Sequence, residues 1–90
     1  MTTLHMDVEI VRNAQSNMKN THQQLSSMVQ NMTNIIHGLQ GAWQGNSANE
    51  FFSQFDQWRS STNQKLDELQ QLAQKLQQEI NEWEQMASKF

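Results

Sequence analysis

The three histidines, His5, His22 and His37, are the side chains best suited to bind a metal ion or transfer a proton near neutral pH. They are spaced 17 and 15 residues apart, and on one helix this spacing separates neighbours by about 25 Å. Histidines that far apart cannot share a metal ion within one chain. His22 lies in a periodic row of apolar side chains, an apolar seam, in the first half of the chain. We expect it to be a polar interruption that helps to specify the register of the packed helices. A pH-sensitive contact at His22 is the alternative.

Carboxylates are the other candidates for chemistry, and most of them lie in the second half of the chain. They are Glu50, Asp56, Asp67, Glu68, Glu79, Glu82 and Glu84. The sequence contains no Glu-x-x-His pair, phosphate-binding loop or nucleophile elbow that would organise them into an active site. We therefore expect a solvated charged face, no enzymatic activity, no cofactor and no metal.

Composition and charge narrow the function classes further. A net charge of −3, with six basic residues scattered over 90, does not fit a nucleic-acid binder. The chain has no cysteine, so a disulfide framework is excluded. No run approaches the roughly 20 apolar residues of a transmembrane segment. The start, MTTLHMDVEI, lacks the basic and apolar regions of a cleavable signal peptide.

Positions that follow alternating steps of three and four from Leu4 to Trp43 are apolar except at Gln15 and His22, and a second such seam, with one irregularity, runs from Phe55 to Phe90. This heptad spacing predicts two amphipathic helices. The chain has no proline, so each helix can continue without a break. Further apolar residues widen both seams into stripes typical of a helical bundle. They are Ile10, Ala14, Met28, Ile35, Leu72 and Phe51 or Phe52.

A glycine-rich segment between the two seams predicts a turn, because glycine disfavours helix and permits positive φ. Ser47 followed by Glu50 fits a capping box at the start of the second helix, and Asn46 is a competing cap. The prediction is a single domain over residues 1–90, with helix one at about 5–41, the turn at about 42–46 and helix two at about 47–88.

Two helices of similar length joined by a short turn form an antiparallel hairpin. A hairpin cannot cover two broad apolar stripes by itself, so we expect it to dimerise into a four-helix bundle. The partner would be a second copy or a related hairpin. The expected interface residues are Val11, Met18, Leu25, Met32, Leu39, Phe55, Trp58, Leu66, Leu69, Leu76, Ile80 and Trp83.

The turn contains the tripeptide Trp43-Gln44-Gly45, a W-x-G motif between the two seams. Small and aromatic residues continue the pattern downstream at Ala48, Phe51 or Phe52, Phe55 and Trp58. In its length, central motif and two amphipathic arms, the whole chain closely resembles the WXG family of small secreted bacterial proteins. These are Esx-like, or early-secretory-antigen-like, substrates of the type VII secretion system.

The resemblance implies a dimeric helical hairpin that folds in the bacterial cytoplasm and is exported by the type VII secretion ATPase. It implies action through protein binding, either as an effector in virulence or interbacterial competition, or as an escort for a larger secreted toxin. Trp43 and Gly45 would then form one half of an export signal. The alternative is that the two residues only build the turn.

The chain departs from the family pattern near its C-terminus. Many members carry a Y-x-x-x-D/E motif there, but this chain has no tyrosine, and Trp83 is followed four residues later by Ala87. Phe52 and Asp56 have the spacing but lie beside the turn, where the match is a coincidence. Either a partner carries the tail signal or this chain uses another one.

Two alternative functions follow from the same amphipathic helices. The first is a secreted protein that perturbs membranes, although the polar faces lack the Lys and Arg typical of interfacial helices. The second is an intracellular helical-bundle scaffold that is not exported.

Overall fold

Two long antiparallel helices joined by a short turn make up the fold. The computed structural model describes residues 5–88, in which α1 spans Val8–Gln40 and α2 spans Asn46–Ala87. Between residues 5 and 88 there is no strand, so the prediction of an all-α hairpin is confirmed. The outermost seam positions, Leu4 and Phe90, lie outside the described residues.

Local hydrogen bonds define both ends of α1. The side chain of Asp7 accepts a hydrogen bond from the backbone N–H of Ile10 and caps the helix, which begins three residues later than the sequence indicates. At the other end, the carbonyl of Leu39 accepts hydrogen bonds from the N–H groups of Ala42 and Trp43. These bonds satisfy a carbonyl that the helix itself leaves free and lead the chain into the turn.

Gly45, rather than a side-chain cap, starts α2. It has φ 119° and ψ −178°, and its carbonyl accepts the first helical hydrogen bond, from Asn49. No side chain caps this end, so the predicted capping box of Ser47 and Glu50 is wrong. The helix already begins at Asn46, which places Ser47 and Glu50 inside it, beyond the positions that a capping box requires.

A single row of side chains from each helix forms the core between α1 and α2. The buried apolar members are Val29, Ile36, Ala48, Phe55, Leu66, Ala73 and Ile80. Two of these are alanines, whose small side chains allow the helix axes to approach closely. Ile80 is completely buried. The core is therefore one side chain deep along the length of the hairpin.

The molecule is a thin rod of 68 × 23 × 17 Å. Its radius of gyration is 20.3 Å, against about 12 Å for a compact domain of this length. Each helix touches only the other, so a large part of both apolar stripes faces outward.

Candidate binding face and hinge

After His22, the buried row on α1 keeps only every second position of the predicted seam, at Val29 and Ile36. The seam continues to Leu25 and Met32, but the structure turns Ser26 and Thr33 toward α2 instead. A straight α-helix has 3.6 residues per turn and drifts relative to a 3.5-residue repeat, so the contact row must skip a position. The skip moves Leu25, Met32 and Leu39 onto the outer flank of α1.

The structure accordingly separates the predicted interface residues into two groups. Those buried or half-buried are Val11, Met18, Phe55, Leu66, Leu69, Leu76, Ile80 and Trp83. Those that remain exposed are Leu25, Met32, Leu39 and Trp58. The second group needs another molecule to cover it, whereas much of the first is already covered within one hairpin.

We call the turn between the two helices, residues 41–45, the hinge. A continuous apolar stripe runs along the half of α1 that is nearest the hinge. Its members follow one another in steps of three and four, and all are exposed: Leu25, Met28, Met32, Ile35 and Leu39. Residues with this spacing lie on one side of a helix. We call this set the α1 flank.

A matching row runs along α2 in steps of seven residues. It consists of Phe51, Trp58, Lys65, Leu72, Glu79 and Met86, and we call it the α2 row. Four of its six members are large apolar side chains that are at least one-third exposed. Leu72 is 60% exposed, the most of the large apolar side chains described on α2. Glu79 forms a 3.1 Å salt bridge with Lys75 in the next turn.

A groove of about 590 Å³ joins the α1 flank to the α2 row. Its apolar walls include Met28 and Met32 from α1 and Trp58 and Leu69 from α2. Lys65 is the one charged residue that lines it. Because residues of both sets line the same groove, the α1 flank and the α2 row lie on one side of the hairpin, which we call the apolar face.

The other side of the hairpin is polar. A smaller groove of about 340 Å³ opens there, lined by Lys19, His22, Gln23, Gln70, Ala73 and Gln74. At this level the helices are joined by a hydrogen bond of 3.3 Å from the side-chain amide of Gln15 to the carbonyl of Ala73. His22 is half-buried at the edge of this polar groove. Within residues 5–88, no group of three or more histidines and carboxylates is close enough to hold a metal ion.

The hinge carries a cluster of three aromatic rings. The ring centroid of Trp43 lies 5.5 Å from that of Phe51 and 5.9 Å from that of Phe52, and the two phenylalanines are 5.8 Å apart. These distances fall in the favourable range for aromatic pairs. Trp43 nevertheless stays 40% exposed. The cluster fixes the indole at the tip of the rod while leaving part of it open to another molecule.

Gly45 gives the tip its shape. A side chain at this position would meet no atom within 4 Å, so the need for glycine comes from the backbone. The combination of φ 119° and ψ −178° is essentially restricted to glycine. The W-x-G spacing thus places the indole on one side of the turn and the required backbone conformation two residues later.

Several of these features cannot be predicted from the sequence pattern. The heptad pattern did not identify the contacts of Trp43 with Phe51 and Phe52, because periodicity does not show how a turn folds back. It also gave no sign of the salt bridge between Arg12 and Glu84, which links the two helices near the open end of the hairpin. The burial of Gln15 is indicated in the sequence only by its position in the apolar seam.

The fold and the site define a class of protein: a small helical hairpin with an aromatic, glycine-hinged tip and one unpartnered apolar face. The model of the WXG100 family, proteins of 100 residues with WXG, matches residues 3–88, and the chain belongs to this family. The family consists of secreted, non-enzymatic helical hairpins, among them substrates of the type VII secretion system. Its members typically pair with other WXG proteins and lack a signal peptide.

Searches of curated proteins and of solved structures return no significant match to this chain. Over residues 5–88, neither helix contains a segment long and apolar enough to cross a membrane.

Proposed function

We propose that this protein is exported by a type VII secretion system as a pair of hairpins and acts by binding other proteins. Its role is that of a dimeric effector or of an escort for a larger secreted toxin. The partner hairpin is either a second copy or a related WXG-type chain. Membership of the WXG100 family supports export, and the apolar face supports the pairing.

The observation that carries the proposal is the extent of the apolar face. Large apolar side chains on both helices are left exposed in one hairpin, including Met28, Ile35 and Leu72 at 60% or more. A contiguous apolar surface of this length is typical of a protein interface rather than of an isolated soluble chain. A partner hairpin laid on this face would complete a four-helix bundle.

The hinge is the proposed contact with the secretion ATPase. The aromatic cluster lies at the end of the rod, where a partner on the side of the hairpin leaves the tip accessible. Trp43 and Gly45 supply the exposed indole and the fixed turn that such a receptor would recognise. Because the 90 residues contain no tyrosine, a tail signal of the Y-x-x-x-D/E type would have to come from a partner or be replaced by other residues.

The test is export from the native host of two variants at the hinge. Trp43→Ala removes the ring, whereas Trp43→Phe keeps an aromatic ring against Phe51 and Phe52 but removes the indole. We expect both proteins to accumulate in the cell, to stay helical and to keep the dimer mass, and we expect the export of Trp43→Ala to fall sharply. Immunoblots of culture supernatant and cell pellet measure the exported fraction.

The two variants separate recognition from folding. Wild-type export of a folded Trp43→Ala protein would show that the motif only builds the turn. Loss of export by Trp43→Phe with its structure intact would show that the indole itself is recognised. Unfolding of Trp43→Ala would show that the core between α1 and α2 is not sufficient for the fold without the aromatic cluster.

A further inference from the structure

We propose that the groove on the polar side of the hairpin, the polar groove, binds a small sugar phosphate or polyol phosphate. Lys19 and His22 contact the phosphate group, and the glutamine carboxamides around them contact the hydroxyl groups. The polar groove lies on the side opposite the apolar face, so it stays open when a partner covers that face. This inference goes beyond the proposed export and pairing and does not depend on either.

The polar groove exists because two seam positions carry residues that do not fill the space between the helices. Ala73 occupies a seam position on α2 and is only 4% exposed, but it contributes a single methyl group. His22 occupies a seam position on α1 and is half-buried at the edge of the groove. The opening of about 340 Å³ lies at the lower end of the range of small-molecule sites, about 300–1,000 Å³. The ligand is therefore a small metabolite.

The positive and hydrogen-bond-donating groups of the polar groove favour an anionic ligand. Lys19 and His22 are three residues apart on α1, so they lie on one side of the helix in neighbouring turns. Of the described residues that line the groove, none is a carboxylate, and Lys19 forms no salt bridge within residues 5–88. A lysine ammonium and an imidazole N–H both donate well to phosphate oxygens. Since the chain has a net charge of −3, only local groups can attract an anion here.

Three carboxamides make the rest of the polar groove suitable for hydroxyl groups. Gln23 lies one helical turn beyond Lys19 on α1, and Gln70 and Gln74 lie one turn apart on α2. Each carboxamide both donates and accepts hydrogen bonds, as a hydroxyl group does. In the part of the chain that the structure describes, these three form no side-chain hydrogen bond, whereas three other glutamines do. Their donors and acceptors are thus available to a ligand.

The lining also narrows the kind of phosphate. Neither tryptophan nor phenylalanine is among the described residues that line the polar groove, so a nucleobase has no large aromatic surface on which to stack. Ala73 is the one apolar residue of that lining, so an acyl chain would bury little apolar area there. A phosphate monoester that carries several hydroxyl groups uses both the cationic and the carboxamide parts of the groove.

The test is titration of the purified protein with glucose 6-phosphate, followed by two-dimensional NMR. We expect a dissociation constant of about 1 mM, because the groove is open to water. The largest shift changes should occur in the carboxamide signals of Gln23, Gln70 and Gln74. Glucose and inorganic phosphate each engage one part of the groove, and each should bind at least about fivefold more weakly than the combined ligand.

Three variants that each remove a cationic or imidazole group locate the site. Lys19→Gln should weaken the binding of glucose 6-phosphate by about tenfold, since it removes a charge-assisted hydrogen bond. His22→Gln should weaken it by about threefold. Arg59→Gln is the matched control, because Arg59 pairs with Asp56 and lies about 16 Å along α2 from Gln70. It should bind like wild type. Lys19 is exposed, so its replacement spares the core, and far-UV circular dichroism checks that each variant is helical.

Several results would overturn the inference. One is the absence of shift changes at about 20 mM glucose 6-phosphate, where a millimolar site is nearly full. Another is wild-type affinity in a helical Lys19→Gln protein. Inorganic phosphate that binds as tightly as glucose 6-phosphate would remove the role of the carboxamides. Shift changes of equal size around Arg12, Lys19 and Arg59 would show a general attraction to cations in place of a site.

Discussion

Gln15 and Ala73, which are 58 positions apart in the sequence, are joined across the two helices by the Gln15 side-chain amide and the Ala73 main-chain carbonyl. Gln15 is only 6% exposed, and the small side chain of Ala73 leaves room for the amide to reach the helix backbone. A buried polar contact of this kind is satisfied in one alignment of the two helices, so it opposes a slip of one turn.

Replacement of Gln15 tests this role. Gln15→Ala should lower the free energy of unfolding by about 1–2 kcal/mol, since it removes a hydrogen bond and leaves a small cavity. Gln15→Leu should stay close to wild type, because the Ala73 carbonyl keeps its helical hydrogen bond and the apolar side chain fills the space. Urea denaturation followed by circular dichroism provides the comparison. A larger loss for Leu than for Ala would show that the buried site cannot accept an apolar branch.

Glycine substitutions at the hinge should differ sharply by position. Gly45→Ala should cost about 1–3 kcal/mol, because its φ of 119° disfavours any side chain. Gly41 has φ −80° and open space around it, so Gly41→Ala is the matched control and should be neutral or slightly stabilising. Thermal unfolding of the two variants measures the difference. Equal melting temperatures would mean that the turn adopts another backbone conformation in solution.

Two leucines on α2 should separate folding from association. Leu66, which is buried between the helices, contributes to the core, so Leu66→Ala should lower the free energy of unfolding by about 2–4 kcal/mol. Leu72 contacts solvent in the single hairpin, and Leu72→Ala should chiefly weaken self-association. Unfolding curves and sedimentation on both variants provide the test. A folded Leu72→Ala protein with wild-type association would remove Leu72 from the interface.

The melting temperature should rise with protein concentration. A core one side chain deep leaves the single hairpin marginal, and pairing stabilises it by mass action. Each tenfold rise in concentration favours the dimer by about 1.4 kcal/mol. Calorimetry at concentrations differing by a hundredfold measures the shift. A constant melting temperature would indicate that the monomer is stable by itself.

The salt bridge between Arg12 and Glu84 should contribute little. Both side chains are about half exposed, and ion pairs in such positions are worth roughly 0–1 kcal/mol. Glu84→Gln should therefore lower the free energy of unfolding by less than about 1 kcal/mol. The difference should disappear in about 1 M salt, where charges are strongly screened. Glu79→Gln, which removes the Lys75 pair within one helix, is the comparison. A persistent large loss for Glu84→Gln would show that the open end depends on this contact.

The sequence was sufficient to predict both helices and the hairpin. Alternating steps of three and four without proline predict long amphipathic helices, and three glycines between them predict where the chain turns. The W-x-G tripeptide between the two helices also indicated the family, and the match of the family model over residues 3–88 confirms it. These features are local, or repeat at a fixed period, so a single sequence displays them.

The rotation of each helix about its axis could not be predicted in the same way. Both stripes are wider than the contact between two helices, so the pattern allowed Leu25 or Ser26 to point toward α2. In the packed hairpin, Ser26 is half-buried and Leu25 is exposed. The cap of α2 also differs from the prediction, because the helix starts from the positive φ of Gly45 and not from the side chains of Ser47 and Glu50. The first difference depends on contacts between distant parts of the chain, and the second depends on the local backbone conformation of Gly45.

The narrow cross-section of the rod bears on how the protein could leave a cell. At 23 × 17 Å across and 68 Å long, the hairpin presents a small end and a long side. A conduit that accepted it lengthwise would need a bore little wider than two helices, and two hairpins side by side would require only a modest further opening. Passage of the folded hairpin through such a conduit would therefore require the long axis of the rod to align with the axis of the conduit.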